Sequence, residues 1–102
     1  MTKGVDMYAR TSTWSGTPEA LQKWSEHAVT TVKGFVEGLP GNKGVFFFID
    51  RDNGTALTLT LWHSAGAAEA TDRFAEQSRA STVAATGADL LAQGRYEVVP
   101  GT

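Results

Sequence analysis

The chain has no cysteine in its 102 residues. That absence removes disulfides, thiolate nucleophiles, zinc–thiolate centres and iron–sulfur ligation together. It also fits a reducing compartment, so a cytoplasmic location is expected. Histidine is scarce, with two residues, His27 and His63, and neither sits in a metal-ligand spacing. Positive charge is scarce as well: nine Lys and Arg against eleven Asp and Glu give a net charge of −2 with no basic run. A surface that tracks phosphates, and hence a nucleic-acid partner, is not expected. No apolar stretch approaches the roughly 20 residues of a membrane span, and Met1–Trp14 lacks the apolar core of a signal peptide. Glycine-rich phosphate loops, nucleophile elbows and HExxH motifs are absent, so no cofactor is expected.

What is present is an ordinary globular composition, 41% apolar and 20% charged. At this length one domain over residues 1–102 is expected. Such a chain buries only about two thirds of its unfolded surface, so a ligand cavity would compete with the core for side chains. Dimerisation is a common way out.

Period-two alternation predicts a strand over Val5–Trp14, with Tyr8, Arg10 and Trp14 on one side. Thr17-Pro18 reads as an N-cap followed by proline at the first helical position. Leu21, Trp24, Ala28, Val32, Phe35 and Val36 then form one apolar stripe, ending at Gly38-Leu39-Pro40-Gly41. Gly44–Asp50 is a second strand, apolar on both faces, in which Phe46 and Phe48 alternate with Phe47. Asp50–Gly54 is a hairpin turn carrying Asn53-Gly54. It is no calcium loop, because glycine falls at the fifth position and the twelfth is Leu61. Thr55–Trp62 is the third strand, and Thr58, Thr60 and Trp62 share one of its faces. Ser64 caps an alanine-rich helix running to about Ala80, extending or restarting through Thr86, and Gly87 stops it. Tyr96–Val99 is a short last strand.

The order β-α-β-β-α-β, with right-handed crossovers, predicts a ferredoxin-like α+β fold: a four-stranded antiparallel sheet, ordered 4-1-3-2, with both helices on one face. The other face would be a large apolar patch in a monomer, so a homodimer packing sheet on sheet is expected. Parity does not say which strand face the helices cover. If it is the face of Tyr8 and Arg10, these join Thr58, Thr60 and Trp62 in a pocket of aromatic and hydrogen-bonding groups; otherwise they lie at a dimer interface or sheet edge. The small side chains of the second helix allow close packing on the sheet or a cavity beneath it.

Leu39-Pro40-Gly41, the Asp50–Gly54 hairpin, Leu61-Trp62-His63-Ser64 and Tyr96-Glu97-Val98-Val99 together resemble the antibiotic-biosynthesis-monooxygenase (ABM) domains of the dimeric α+β barrel superfamily. The likeness covers nearly the whole chain. It implies a barrel made of two ferredoxin-like protomers. It also implies either a cofactor-independent monooxygenase (or a related isomerase or cyclase) for a planar aromatic or polyketide-like molecule, or a non-catalytic small-ligand-binding or assembly protein. Haem-degrading members carry a histidine on the second helix about ten residues after the strand-end Trp. Here Ala70–Phe74 offers no ligand. Anthrone-oxidising members carry an asparagine where Thr58 stands, and a tyrosine and an arginine where Ala68 and Thr82 stand, with Arg79 one turn from the latter and a candidate to substitute for that arginine. Trp62 alone carries over. In the enzymatic reading Trp62, Tyr8, Phe46 and Phe48 hold the rings, with Thr60 beside them. Arg10 and Thr58 stabilise an oxyanion, and His27 accepts the proton. For each histidine the alternative is a surface or cap residue; for Phe46 and Phe48, core and dimer interface.

Overall fold

The computed structural model describes residues 7–102. The elements follow as β1 (Tyr8–Ser15), α1 (Pro18–His27), a π-helical turn (Ala28–Val32), α2 (Lys33–Glu37), β2 (Asn42–Asp50), β3 (Thr55–Trp62), α3 (Ala65–Ala70), α4 (Asp72–Thr86) and β4 (Asp89–Glu97). The first residues of the strand expected from Val5 lie outside the described residues. All strand pairs are antiparallel and the order is β2-β3-β1-β4, the expected 4-1-3-2 arrangement. The helices pack on one face, which gives the ferredoxin-like α+β fold.

Register decides the question that parity left open. Arg10 lies opposite Thr60, Ser12 opposite Thr58 and Tyr8 opposite Trp62, so these residues share one face. That face is the helix-covered one. Trp14 packs with Leu21, Trp24 and Ala88, and Trp62 packs with Val32, Val36 and Ala68. Phe47, opposite Thr58, points the same way and bridges both clusters. Phe46 and Phe48 therefore point to the far side and are about half exposed. The expectation that they line the site is corrected. In a strand apolar on both faces, only pairing with β3 determines which phenylalanine turns inward.

The helix ends follow local chemistry. Thr17 Oγ1 accepts from the Ala20 N–H at 3.1 Å, with Pro18 opening α1. Ser64 Oγ accepts from Ala67 N–H at 3.1 Å to start α3. Each such cap contributes about 1 kcal/mol. The second helical segment is broken at Thr71, whose φ of −108° and ψ of 8° leave the helical region. There Thr71 Oγ1 donates to the Ala68 carbonyl at 2.9 Å. Gly87, at φ 77°, ends α4 with its N–H on the Val83 carbonyl.

The first helical segment carries a wide turn that the stripe did not announce. Trp24, Ala28, Val32 and Val36 are all buried. They recur every four residues, and in a regular α-helix that spacing drifts about 40° per step away from one face. The i→i+5 turn at Ala28–Val32 takes up the surplus, so Val32 and Val36 still meet the sheet. Within this turn Thr30 Oγ1 donates to the Glu26 carbonyl at 2.7 Å, a side-chain bond that loosens regular helix geometry.

The last strand begins at Asp89, not at Tyr96, and pairs with β1 along its length. A register shift opposite Thr13/Trp14 leaves Leu91 unpaired. A Cβ on Gly94 would lie 2.5 Å from the Tyr96 ring and 2.7 Å from Thr11 Oγ1, which explains a glycine in mid-strand.

Candidate functional site

Between the helices and the sheet lies a cavity of about 50 Å³. Trp14, Trp24, Phe47 and Trp62 supply its aromatic walls, and Arg10, His27, Thr58, Thr60 and Arg79 its polar groups. Trp24 and Phe47 meet edge to face, ring centres 6.0 Å apart at 83°. An adjoining gap of about 230 Å³ lies between the α1 side (His27, Thr31, Val32, Phe35) and α4 (Gln77, Ser78, Ser81). His27 and Phe35 line both spaces.

The threonines explain why this buried face is not aliphatic. Trp62 Nε1 donates to Thr60 Oγ1 at 2.9 Å, and Thr60 Oγ1 donates to the Arg10 carbonyl at 3.3 Å. Both capacities of that hydroxyl are used. Trp14 Nε1 donates to Thr58 Oγ1 at 3.2 Å. Among the described residues the proton of Thr58 has no acceptor, so this hydroxyl can donate into the cavity.

Arg10 is buried, and its guanidinium sits 5.2 Å from the centre of the Trp62 ring. Its Nη2 donates to the Ala68 carbonyl and, at 2.6 Å, to Asp72 Oδ1. Asp72 Oδ2 accepts from Arg95 at 2.7 Å. Burial pushes the Arg10 guanidinium below the ordinary arginine range, and Asp72 offsets part of that.

His27 presents a buried Nε2 without a hydrogen-bond partner among the described residues. Such an atom normally has a partner, and the residue that carries it borders the cavity. The structure thus brings Arg10, His27, Thr58, Thr60 and Trp62 to one cavity. It leaves Tyr8 out of the lining, packed against the Val32–Trp62 cluster, and Phe46 and Phe48 outside. His63 is exposed at the strand–helix junction, its N–H on the Gly41 carbonyl at 2.8 Å.

Cavity residues that the sequence did not assign to the site include Trp14; Trp24, read as plain stripe; and Phe47, on the face not chosen, while Arg79 was noted only for lying one turn from Thr82. Among the described residues no three His, Asp or Glu side chains gather to hold a metal ion, and no helix is long and apolar enough to cross a membrane.

No protein-family model and no curated protein matches the chain. Solved structures do. A monooxygenase from the gene ActVA-Orf6 of Streptomyces coelicolor, in complex with the ligand nanaomycin D, is 17% identical; 96% of this chain and 89% of that one align, with a TM-score of 0.68. SnoaB, a cofactor-independent oxygenase from Streptomyces nogalater, is 15% identical over 95% of this chain and 96% of that one, with a TM-score of 0.64. A conserved protein of unknown function from Bacteroides thetaiotaomicron is 16% identical over 93% and 100%, with a TM-score of 0.69. Over nearly its whole length, the chain shares the fold of these structures, an ABM-like fold.

Proposed function

We propose that this protein is a cofactor-independent monooxygenase for a planar aromatic or polyketide-like small molecule, working as a homodimer. The observation that carries the reading is His27, which borders a cavity walled by Trp24, Phe47 and Trp62 and whose buried Nε2 has no partner among the described residues. The described activities of the ActVA-Orf6 and SnoaB proteins support it.

In this reading a substrate CH₂ group set between two aromatic rings that are joined through a carbonyl loses a proton to His27 Nε2. The Thr58 hydroxyl donates to the enolate oxygen, with the Arg10 charge behind it. The carbanion reacts with dioxygen to give a hydroperoxide, and loss of water leaves a ketone. One dioxygen is consumed and one water is formed for each CH₂ converted to C=O. Arg10 also fixes Trp62 through its place over that ring. The apolar far face of the sheet, with Phe46, Phe48 and Tyr96 about half exposed, is the surface a second copy would cover.

The test is dioxygen uptake with an anthrone as probe substrate. Turnover should fall by about 10²-fold or more in His27→Gln and be lost in Trp62→Ala, with the dimer intact. Unchanged turnover in both variants removes the proposal. The cavity volume favours a second reading. At about 50 Å³ it is well below the roughly 300 Å³ of a small-ligand site, so His27 and Phe35 must swing toward the adjoining gap to admit a ring system. A non-catalytic binding or assembly protein would bind the anthrone and consume no dioxygen.

A further inference from the structure

On the side of α4 turned toward β4 lies a groove of about 300 Å³ bordered by Arg10, Asp72, Glu76, Arg79, Gln93 and Arg95. Arg10 and Arg95 are direct partners in the β1–β4 register. Asp72, Glu76 and Arg79 follow one another up the same side of α4. Asp72 engages both strand arginines, at 2.6 and 2.7 Å. Arg79 is different: it is half-buried, and among the described residues it has neither a hydrogen bond nor a carboxylate within ion-pair distance. It also borders the aromatic cavity, so one arginine lines both spaces.

An unpartnered, half-buried guanidinium has given up hydration without a protein acceptor in return. Burial pushes it below the ordinary arginine range, and Glu76 and Asp72 only partly offset this.

We propose that Arg79 anchors a carboxylate on the edge of the molecule whose rings occupy the aromatic cavity. The substrate class is thereby narrowed to planar aromatic carboxylates. The inference rests on the cavity being the small-molecule site. A guanidinium offers parallel N–H donors that match a carboxylate, and the Gln93 amide on β4 provides a neutral donor across the groove. The charge count selects a monoanion. Three arginines against Asp72 and Glu76 leave one net positive charge, and those two acids repel a second negative charge such as a phosphate would bring.

The test is calorimetric titration of the full chain with naphthalene carboxylate, its neutral isostere naphthamide, and naphthyl phosphate. The carboxylate should bind at least about tenfold more tightly than the amide. Arg79→Gln should erase that preference by weakening the carboxylate alone. Arg79→Lys, which keeps the charge but not the parallel donors, should retain part of it. Equal affinity for carboxylate and amide, or a preference that survives in Arg79→Gln, overturns the inference while leaving the cavity reading in place. Tighter binding of the phosphate than of the carboxylate overturns the monoanion assignment. Failure of all three probes to bind overturns the inference together with the cavity reading.

Discussion

Asp72 joins two arginines in unlike surroundings, and removing it should expose the difference. The Arg10 side chain is 8% exposed and that of Arg95 50%. The exposed pair is worth no more than about 0.5 kcal/mol. Stripping a buried cation of its partner costs about 3–5 kcal/mol when water cannot reach it. Here the Asp72 side chain is itself 41% exposed, so water partly fills the vacated place and we expect a loss of about 2 kcal/mol for Asp72→Ala. For a domain of this size that corresponds to roughly 10 °C in Tm. Arg95→Gln should cost less than about 0.5 kcal/mol. In an Arg10→Met background no cation is left stranded, and the Ala68 carbonyl keeps its bonds from Thr71. The cost of Asp72→Ala should then fall below about 1 kcal/mol. Any contribution of Asp72 to the start of α4 is common to both backgrounds and cancels. Urea melts of the four proteins and the double variant, at one protein concentration because association would add to stability, give the coupling directly. Equal losses in Asp72→Ala and Arg95→Gln would refute the assignment of this carboxylate to the buried arginine.

Thr60→Val should cost about 1–3 kcal/mol in the same melts, because it leaves the buried Trp62 Nε1 without its acceptor. Phe48→Glu should turn a dimer into a monomer in sedimentation while leaving far-UV circular dichroism unchanged; a dimer that survives the charge does not use this face. Asp50 should titrate below the ordinary carboxylate range, because the Asn53 side chain and backbone N–H both donate to it. A depressed folded-state value means that its contribution to the hairpin is complete above the ordinary carboxylate range and fades as pH falls through the folded value. Carboxyl NMR of the wild type and Asn53→Ala reads the shift, which should shrink in the variant.

Much of this architecture is legible in the residues themselves. The alternation in β1 and β3, Thr17-Pro18, Asn53-Gly54, Ser64 and Gly87 all mark places that the structure uses as expected, because each acts through its own backbone or immediate neighbours. What was illegible is what depends on a partner strand. The choice of Phe47 over Phe46 and Phe48 is made by β3, not by β2. The start of β4 at Asp89 is hidden because Gln93, Gly94 and Arg95 do not alternate in hydropathy and a bulge shifts the phase. For Arg10, Thr58 and Thr60, alternation alone leaves a pocket and an interface or sheet edge equally open. These three residues are buried or half-buried because hydrogen bonds and an ion pair satisfy them, and no hydropathy pattern encodes those partners. Trp62 and His27, both singled out in the sequence, border the cavity, whereas Arg79 gains its significance from having no hydrogen-bond or ion-pair partner among the described residues.

The π-helical turn has a consequence for how chain length could change here. Removing one residue between Ala28 and Val32 would turn the wide turn into an ordinary helical one, and the buried positions on either side would then fall at the mixed three- and four-residue spacing that a regular helix keeps on one face. The same deletion elsewhere in the segment would swing every later side chain about 100° off the sheet. This turn is therefore a seam at which a residue can be lost or gained without unpicking the core. Because His27 immediately precedes it and Phe35 follows one turn later, such a change would reset the width of the opening between them.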